Sequence, residues 1–191
     1  MLLRINDIFY SIQGEGVNAG RAAVFVRLAG CNRRCDFCDT AFTDYREMTV
    51  DDVISEVTAL TAAAGCRLLV LTGGEPAMQI DENIVNAFHA AGYVVAIETN
   101  GSLPLPPGID WVTVSPKGDT VVRRCDELKC VFTDAASVSD RGIVADHYLL
   151  QPCDTGDPER NRLILQACVE YIKERPQWRL SLQTHKMAGF K

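Results

Sequence analysis

Val24-Phe25-Val26-Arg27-Leu28-Ala29-Gly30-Cys31-Asn32-Arg33-Arg34-Cys35-Asp36-Phe37-Cys38-Asp39-Thr40 joins a short, mostly apolar run to a loop that carries three cysteines. The run, Val24 to Ala29, has the length and composition of a strand buried among others. Three closely spaced thiols cannot be completed as disulfide pairs. A tetrahedral zinc site asks for a fourth protein ligand, yet the next cysteine is Cys66 and the nearest histidine His89. A cuboidal iron-sulfur cluster has four irons, so three thiolates would leave one iron open to a ligand that reacts.

Outward from this loop, strands alternate with helices. Thr49 followed by Asp52 reads as a helix start, and Val50, Val53, Ile54, Val57 and Leu60 recur at helical spacing, which predicts a helix over Thr49 to Ala64. Strands are expected at Arg67 to Thr72 and Tyr93 to Glu98, with a helix over Glu82 to Ala91 between them. Ile84, Val85 and Phe88 would lie on its buried face, with Gly92 as its stop. Further short strands are expected at Trp111 to Val114, Leu128 to Phe132 and Tyr148 to Leu150. Asp157 and Pro158 open another helix with Leu163, Ile164, Ala167, Cys168, Tyr171 and Ile172 inward, closed by Pro176; Arg179 to Gln183 would be the last strand. The segments around 101–110 and 133–146 carry few helical signals, so some crossovers should be reduced. The pattern is that of an α/β fold, an incomplete parallel β/α barrel in one domain spanning 1–191.

Composition sets the outer limits. A chain of 191 residues with 47% hydrophobic content can bury a sizeable core and is neither disordered nor membrane-spanning. The N-terminal apolar run is broken by Arg4 and Asp7, unlike a signal peptide. Thiolate ligands for a cluster need a reducing compartment, so a cytoplasmic protein is expected. The net charge of −6 argues against a broad nucleic-acid surface; Arg33-Arg34 and Arg123-Arg124 read as local solvated pairs. Cys66, Cys125, Cys130, Cys153 and Cys168 do not repeat the clustered spacing and read as core or incidental thiols.

In parallel α/β folds the chemistry gathers at the carboxyl ends of the strands. The cysteine loop, Thr72-Gly73-Gly74-Glu75-Pro76, Glu98-Thr99-Asn100-Gly101, Ser115-Pro116-Lys117 and Gln151-Pro152 all fall at such ends and would form the rim of one pocket.

The Cys-x3-Cys-x2-Cys spacing, followed by Thr72-Gly73-Gly74-Glu75-Pro76, resembles the radical S-adenosylmethionine enzymes. The resemblance implies a partial barrel of the radical SAM type and a 4Fe-4S cluster on Cys31, Cys35 and Cys38, with S-adenosyl-L-methionine on the fourth iron. It also implies contacts to that cofactor from Phe37, Cys38, Asp39, Gly74, Glu75, Thr99, Ser115, Pro116, Lys117 and Gln151. Glycines at Gly73 and Gly74 would let backbone approach the cofactor's amino end. Ser115 and Lys117 can donate to its carboxylate or ribose, Phe37 and Asp39 would border the adenine, and Gln151 would reach the ribose or adenine.

Ile8-Phe9-Tyr10-Ser11-Ile12-Gln13-Gly14-Glu15-Gly16, Cys38-Asp39-Thr40 and Gln183-Thr184-His185-Lys186 extend the likeness to the 7-carboxy-7-deazaguanine synthases, over nearly the whole chain. That family makes 7-carboxy-7-deazaguanine from 6-carboxy-5,6,7,8-tetrahydropterin with loss of ammonia, in queuosine and deazapurine biosynthesis. By this resemblance Ile12, Gln13, Gly14, Arg27 and Thr72 would bind the pterin, and Thr40 would bind Mg2+. On its own residue type, Arg27 suits a two-point grip on a carboxylate, and Gln13 can match a donor-acceptor edge. An electron donor such as flavodoxin or ferredoxin and a homodimer are further implications. The family's short hydrophobic or proline tail is replaced here by Met187-Ala188-Gly189-Phe190-Lys191. A glycyl-radical-enzyme activating enzyme shares the cysteine spacing, and a non-catalytic metal-binding module is the reading from another class.

Overall fold

The computed structural model describes residues 2–38 and 43–191. The chain runs β1 (Leu2–Ile12), β2 (Ala22–Leu28), β3 (Arg46–Thr49), α1 (Val50–Thr61), β4 (Leu68–Gly73), α2 (Glu82–Ala90) and β5 (Val94–Thr99). It continues through β6 (Trp111–Val114), β7 (Arg124–Phe132), β8 (Val144–Pro152), α3 (Pro158–Glu174), β9 (Trp178–Leu180) and α4 (Thr184–Ala188). All strands join one nine-stranded sheet in the order β3-β1-β2-β4-β5-β6-β7-β8-β9. From β2 to β9 each neighbouring pair is parallel, while β1 runs antiparallel to β2 and β3. The first and last strands in this order do not pair, so the barrel is incomplete. Among the described residues no α-helix lies between β5 and β8; the β7–β8 connection holds a single 3-10 turn, Ala135–Ser137. No helix among them is long and apolar enough to cross a membrane.

The helix starts are built as their residues dictate. Thr49 and Asp52 exchange side-chain and backbone hydrogen bonds in a reciprocal cap on α1, Asp81 caps α2, and Asp157 caps α3 ahead of Pro158. Ile84, Val85 and Phe88 are the buried residues of α2, as their spacing predicts. In α3 the inward stripe is narrower than the spacing suggests. Ile164 and Cys168 are buried, but Leu163 and Ala167 are exposed, because a helix lying against one sheet face covers only the stripe that touches it. Two strands were not foreseen. A register shift between Ile5 and Asp7 breaks the alternation of β1, and β3 buries Met48 alone. The last strand is Trp178–Leu180 rather than Arg179 to Gln183, since Gln183 serves as the N-terminal flank of α4.

The sheet has two differently used faces. Val24, Val26, Leu28, Leu69 and Leu71 face α1 and α2 and pack against Val53, Val57, Ile84, Val85 and Phe88. The alternate positions Ala23, Phe25, Leu68, Val70 and Ala96 form a separate inner cluster with Phe9. Side chains alternate along a strand, so the next inner positions toward the carboxyl ends are Arg27, Thr72 and Glu98. The inner face thus turns from apolar to polar along every one of these strands.

Phe88 is fully buried between α2 and the sheet. Phe88→Ala is expected to lower the unfolding free energy by about 3–5 kcal/mol, read as a shifted denaturant midpoint at unchanged slope.

Candidate active site

The thiol loop is fixed by the ends of its neighbours. Gly74 N donates to the Leu28 carbonyl and Glu75 N to the Gly30 carbonyl, both at 2.9 Å, extending the β2–β4 pairing into the loop that begins at Cys31. A Cβ on Gly74 would collide with the Gly30 carbonyl, and one on Gly73, whose φ is +111°, would strike Leu28 backbone. Glu75 is fully buried, and its carboxylate accepts from Thr99 Oγ1 and Asn100 N at 2.7 Å and from Ala77 N at 3.0 Å. Asn100 Nδ2 then donates to Asn32 Oδ1 at 3.0 Å, returning the link to the thiol loop. Arg33 anchors the loop's far side through Nη2 to the Asp119 carbonyl at 2.8 Å.

Two cavities open at the carboxyl ends of the strands. The first, about 220 Å³, is lined by Cys31, Cys35, Phe37, Cys38, Thr72, Gly74, Thr99, Ser115, Lys117 and Gln151 among others. The second, about 390 Å³, is lined by Ile12, Gln13, Gly14, Phe25, Arg27 and Thr72, with His185, Phe190 and Lys191 on its other side. Glu15, Thr72, Glu98 and Lys186 line both. None of the eight cysteines is joined in a disulfide. In the first cavity Lys117 Nζ donates to Ser115 Oγ at 2.6 Å and sits 5.5 Å from the Phe37 ring centre. Burial, reinforced by the Lys129 charge, lowers the Lys117 pKa. In the second, the Arg27 guanidinium lies 5.3 Å from the Phe9 ring centre, and Lys191 Nζ lies 4.6 Å from the same centre.

Beneath both cavities lies a buried charge cluster. Lys129 Nζ donates to Glu15 Oε2 at 2.6 Å and to Glu98 Oε2 at 3.0 Å, with the lysine side chain 5% exposed and the carboxylates 19% and 22%. Gln183 Nε2 donates to the other oxygen of Glu15 at 3.0 Å, and Gln13 Nε2 to Glu98 Oε1 at 3.3 Å. Glu127, also buried, accepts from Val17 N at 2.8 Å. Burial acts to raise the Glu15 pKa, but the Lys129 charge and the hydrogen bonds outweigh it and the net shift is downward. For Glu98 burial wins: its pKa is raised, with Glu15 and Glu127 adding to burial against the pull of Lys129. Burial opposes the charge of Lys129, yet Glu15, Glu98 and Glu127 together raise its pKa, so it stays an ammonium.

The structure thus brings together most of the residues singled out by the sequence. Glu75 and Pro116 do not line either cavity; Glu75 spends its carboxylate on backbone and Thr99. Asp39 and Thr40 lie outside the described residues. Cys125, Cys130 and Cys168 are core thiols, pushed by burial to about 12, 11 and 11, while Cys153 lines the first cavity. Sequence reasoning missed Lys129, Glu127 and the role of Glu98. Their signal was a charged alternation, Glu127 and Lys129, on a strand flanked on both sides by parallel neighbours. The donor set fits a three-thiolate cluster with an amino-acid ligand beside it: three cysteine side chains on one cavity, a lysine, a serine and a backbone approach at Gly74.

Residues 26–173 match the Radical SAM superfamily. A protein of Bacteroides thetaiotaomicron called 7-carboxy-7-deazaguanine synthase is 43% identical over 189 residues, 98% of each chain. One of the same name from Bordetella pertussis is 44% identical over 211 aligned residues, covering 99% of each. The crystal structure of QueE from Escherichia coli superposes with a TM-score of 0.70 at 26% identity, covering 97% of this chain and 95% of that one.

Lys129→Met strands two carboxylates in the interior and is expected to cost about 3–5 kcal/mol of stability at pH 7. The folded pKa of Glu15 is depressed, so its favourable contribution is present above the ordinary carboxylate pKa and lost as pH falls. The gap between wild type and Lys129→Met should therefore narrow on acidification, measured by denaturant unfolding across pH 7 to 4.

Proposed function

The chain belongs to the radical S-adenosylmethionine superfamily and, within it, to the 7-carboxy-7-deazaguanine synthase family, and from that premise we propose that it converts 6-carboxy-5,6,7,8-tetrahydropterin to 7-carboxy-7-deazaguanine and ammonia. The observation that carries this reading is the common wall of Glu15, Thr72, Glu98 and Lys186, through which the thiol-lined cavity adjoins the one holding Arg27 and Gln13. A radical generated in the first need not cross solvent to reach a substrate in the second.

Cys31, Cys35 and Cys38 would hold a 4Fe-4S cluster, with Phe37, Cys38, Gly74, Thr99, Ser115, Lys117 and Gln151 around S-adenosyl-L-methionine. Bound there, cluster and cofactor supply a 5′-deoxyadenosyl radical that takes a hydrogen atom from the substrate. The chain's own part is positioning. Arg27, fixed over Phe9, grips the pterin carboxylate, and Gln13, Gly14, Ile12 and Thr72 meet its ring edges. Glu75 acts through Thr99 and Asn100, holding the loop ends in register. Mg2+ bound at Thr40 would assist in holding the carboxylate. The reading extends to one catalytic unit over 1–191, a flavodoxin or ferredoxin as reductant, a homodimer, and a reducing cytoplasmic setting.

The test is an anaerobic assay of iron-reconstituted protein with reductant, S-adenosyl-L-methionine, Mg2+ and the pterin, with products identified by mass. Formation of 7-carboxy-7-deazaguanine without stoichiometric loss of S-adenosyl-L-methionine is expected; cleavage of the sulfonium without that product overturns the substrate. Arg27→Ala is expected to raise KM for the pterin by at least ~30-fold, the lower bound for losing a buried charged partner. Cleavage of S-adenosyl-L-methionine should survive that substitution.

A further inference from the structure

We propose that Glu98 is a catalytic residue, the proton carrier of the ring contraction, with Lys129 and Glu15 as its positioning residues. The inference rests on the pterin reading above and goes beyond it, since radical chemistry alone leaves the proton traffic unassigned. Loss of ammonia requires a proton at the departing nitrogen, and formation of the aromatic product requires one to leave the substrate.

Three observations single out Glu98. It is one of the groups common to both cavities, so its carboxyl stands beside the radical source and the substrate at once. It belongs to a set of three carboxyls, the partly buried Glu15 and Glu98 and the buried Glu127, gathered around the ammonium of Lys129. Such a set is held most cheaply with one proton retained, as for paired carboxyls elsewhere. Of the three, Glu15 is tied at 2.6 Å to Lys129 and at 3.0 Å to Gln183, and Glu127 lines neither cavity. Glu98 has the longer contacts, 3.0 Å to Lys129 and 3.3 Å to Gln13, so it is the carboxyl its neighbours hold least tightly, and burial acts in the same sense by raising its pKa.

The step balances within the site. As the carbon–nitrogen bond breaks, its electron pair goes to nitrogen, and the Glu98 carboxylic acid supplies a proton that completes ammonia. The Glu98 carboxylate then takes a proton from the substrate, whose C–H electron pair enters the new ring, and the acid is restored. Substrate and products differ by ammonia alone, so no outside oxidant, reductant or proton is consumed. The other charged or titratable side chains, besides the cysteines, that line these cavities are Arg27 from β2, Arg33, Lys117 after β6, Asp154 after β8, His185 and Lys186 from α4, and Lys191.

The experiment uses the reconstituted holoenzyme with the pterin, scoring 5′-deoxyadenosine formation and 7-carboxy-7-deazaguanine separately. Glu98→Gln is expected to bind its cluster and cleave S-adenosyl-L-methionine, while kcat for product falls at least ~100-fold. Glu98→Asp should restore part of that rate. In wild type kcat should fall as pH rises through the Glu98 pKa, because the acid form is the working one. Glu15→Gln removes a negative neighbour, so that alkaline limb should move to lower pH; a purely structural role would lower activity without moving it. Product formation by Glu98→Gln within a few fold of wild type, or a limb unmoved in Glu15→Gln, overturns the proposal. Should Glu98→Gln fail to fold, the wild-type and Glu15→Gln profiles decide alone. Absence of product from wild type would sink the pterin reading instead, which keeps the two failures apart.

Discussion

The two hydrogen bonds from Gly74 and Glu75 to the carbonyls of Leu28 and Gly30 are the constraint on which the site depends. A parallel sheet ordinarily stops where its strands stop. Here the ladder between β2 and β4 is carried beyond Leu28 into the thiol loop, and it can be so because neither Gly73 nor Gly74 has a Cβ to hold the backbones apart. The Glu75 carboxylate then takes over. A buried carboxylate is costly unless its oxygens are engaged, and this one accepts from Ala77, Thr99 and Asn100. The ends of β2, β4 and β5 are thereby locked to one another, and the thiols inherit their positions from that lock. The glycines therefore serve contact between backbones within the protein, before any contact with a ligand.

The inner face explains why the chemistry collects where it does. At the amino ends of β2, β4 and β5 the inward residues are Phe25, Val70 and Ala96, packed with Phe9 into a plug. One step along each strand they become Arg27, Thr72 and Glu98. Charges placed there meet a low-dielectric floor, so each must find a partner inside the barrel. Lys129 on β7 reaches across to Glu15 and Glu98, and Glu127 beside it holds the turn at Gly16 and Val17. The same compensation that makes the cluster tolerable sets its two lining carboxyls at different pKa values. The two shifts run in opposite directions, without any difference in residue type.

Much of this was legible in the residues. The helix caps at Thr49 and Asp157, the buried face of α2 and the inner strands stand out because each follows a single dominant periodicity or a local hydrogen-bonding rule. The cysteine loop and the polar strand ends are legible because their residue types are unusual at those places. β1 was hidden for a physical reason: the bulge after Ile5 moves the helix-side set from Leu3 and Ile5 to Ile8, with Phe9 on the inner side, so no one alternation runs its length. β7 was read short because the charged residues Arg124, Asp126 and Glu127 interrupt the apolar run before Leu128. What buries Glu127 and Lys129, parallel strands on either side, is a property of the assembled sheet. The Glu15–Lys129 contact joins residues 114 positions apart, beyond any local pattern.

The unpaired ends of the sheet complete the argument. A nine-stranded sheet whose first and last members do not pair leaves a seam, and here side chains cross it. Ser181, just past β9, accepts from Gly16 N at 3.0 Å and donates to Gln151 Oε1 at 3.0 Å. Thr184 donates through both its backbone N, at 3.0 Å, and its hydroxyl, at 2.8 Å, to the Gly14 carbonyl. Ser11 donates to the Lys191 carbonyl at 2.6 Å, and Lys191 pairs with Asp7 at 2.7 Å. Strand pairing along this seam would have brought backbones to about 4.8 Å and filled the space with alternating side chains. Bridging it by these separate hydrogen bonds instead leaves room for the second cavity between β1, β2 and α4, with Gln13 and Gly14 on one bank and His185 on the other. The incompleteness of the barrel is therefore what makes room for the second cavity, and the loop at Gln13 to Gly16 closes the seam while its Gln13, Gly14 and Glu15 line the space so created.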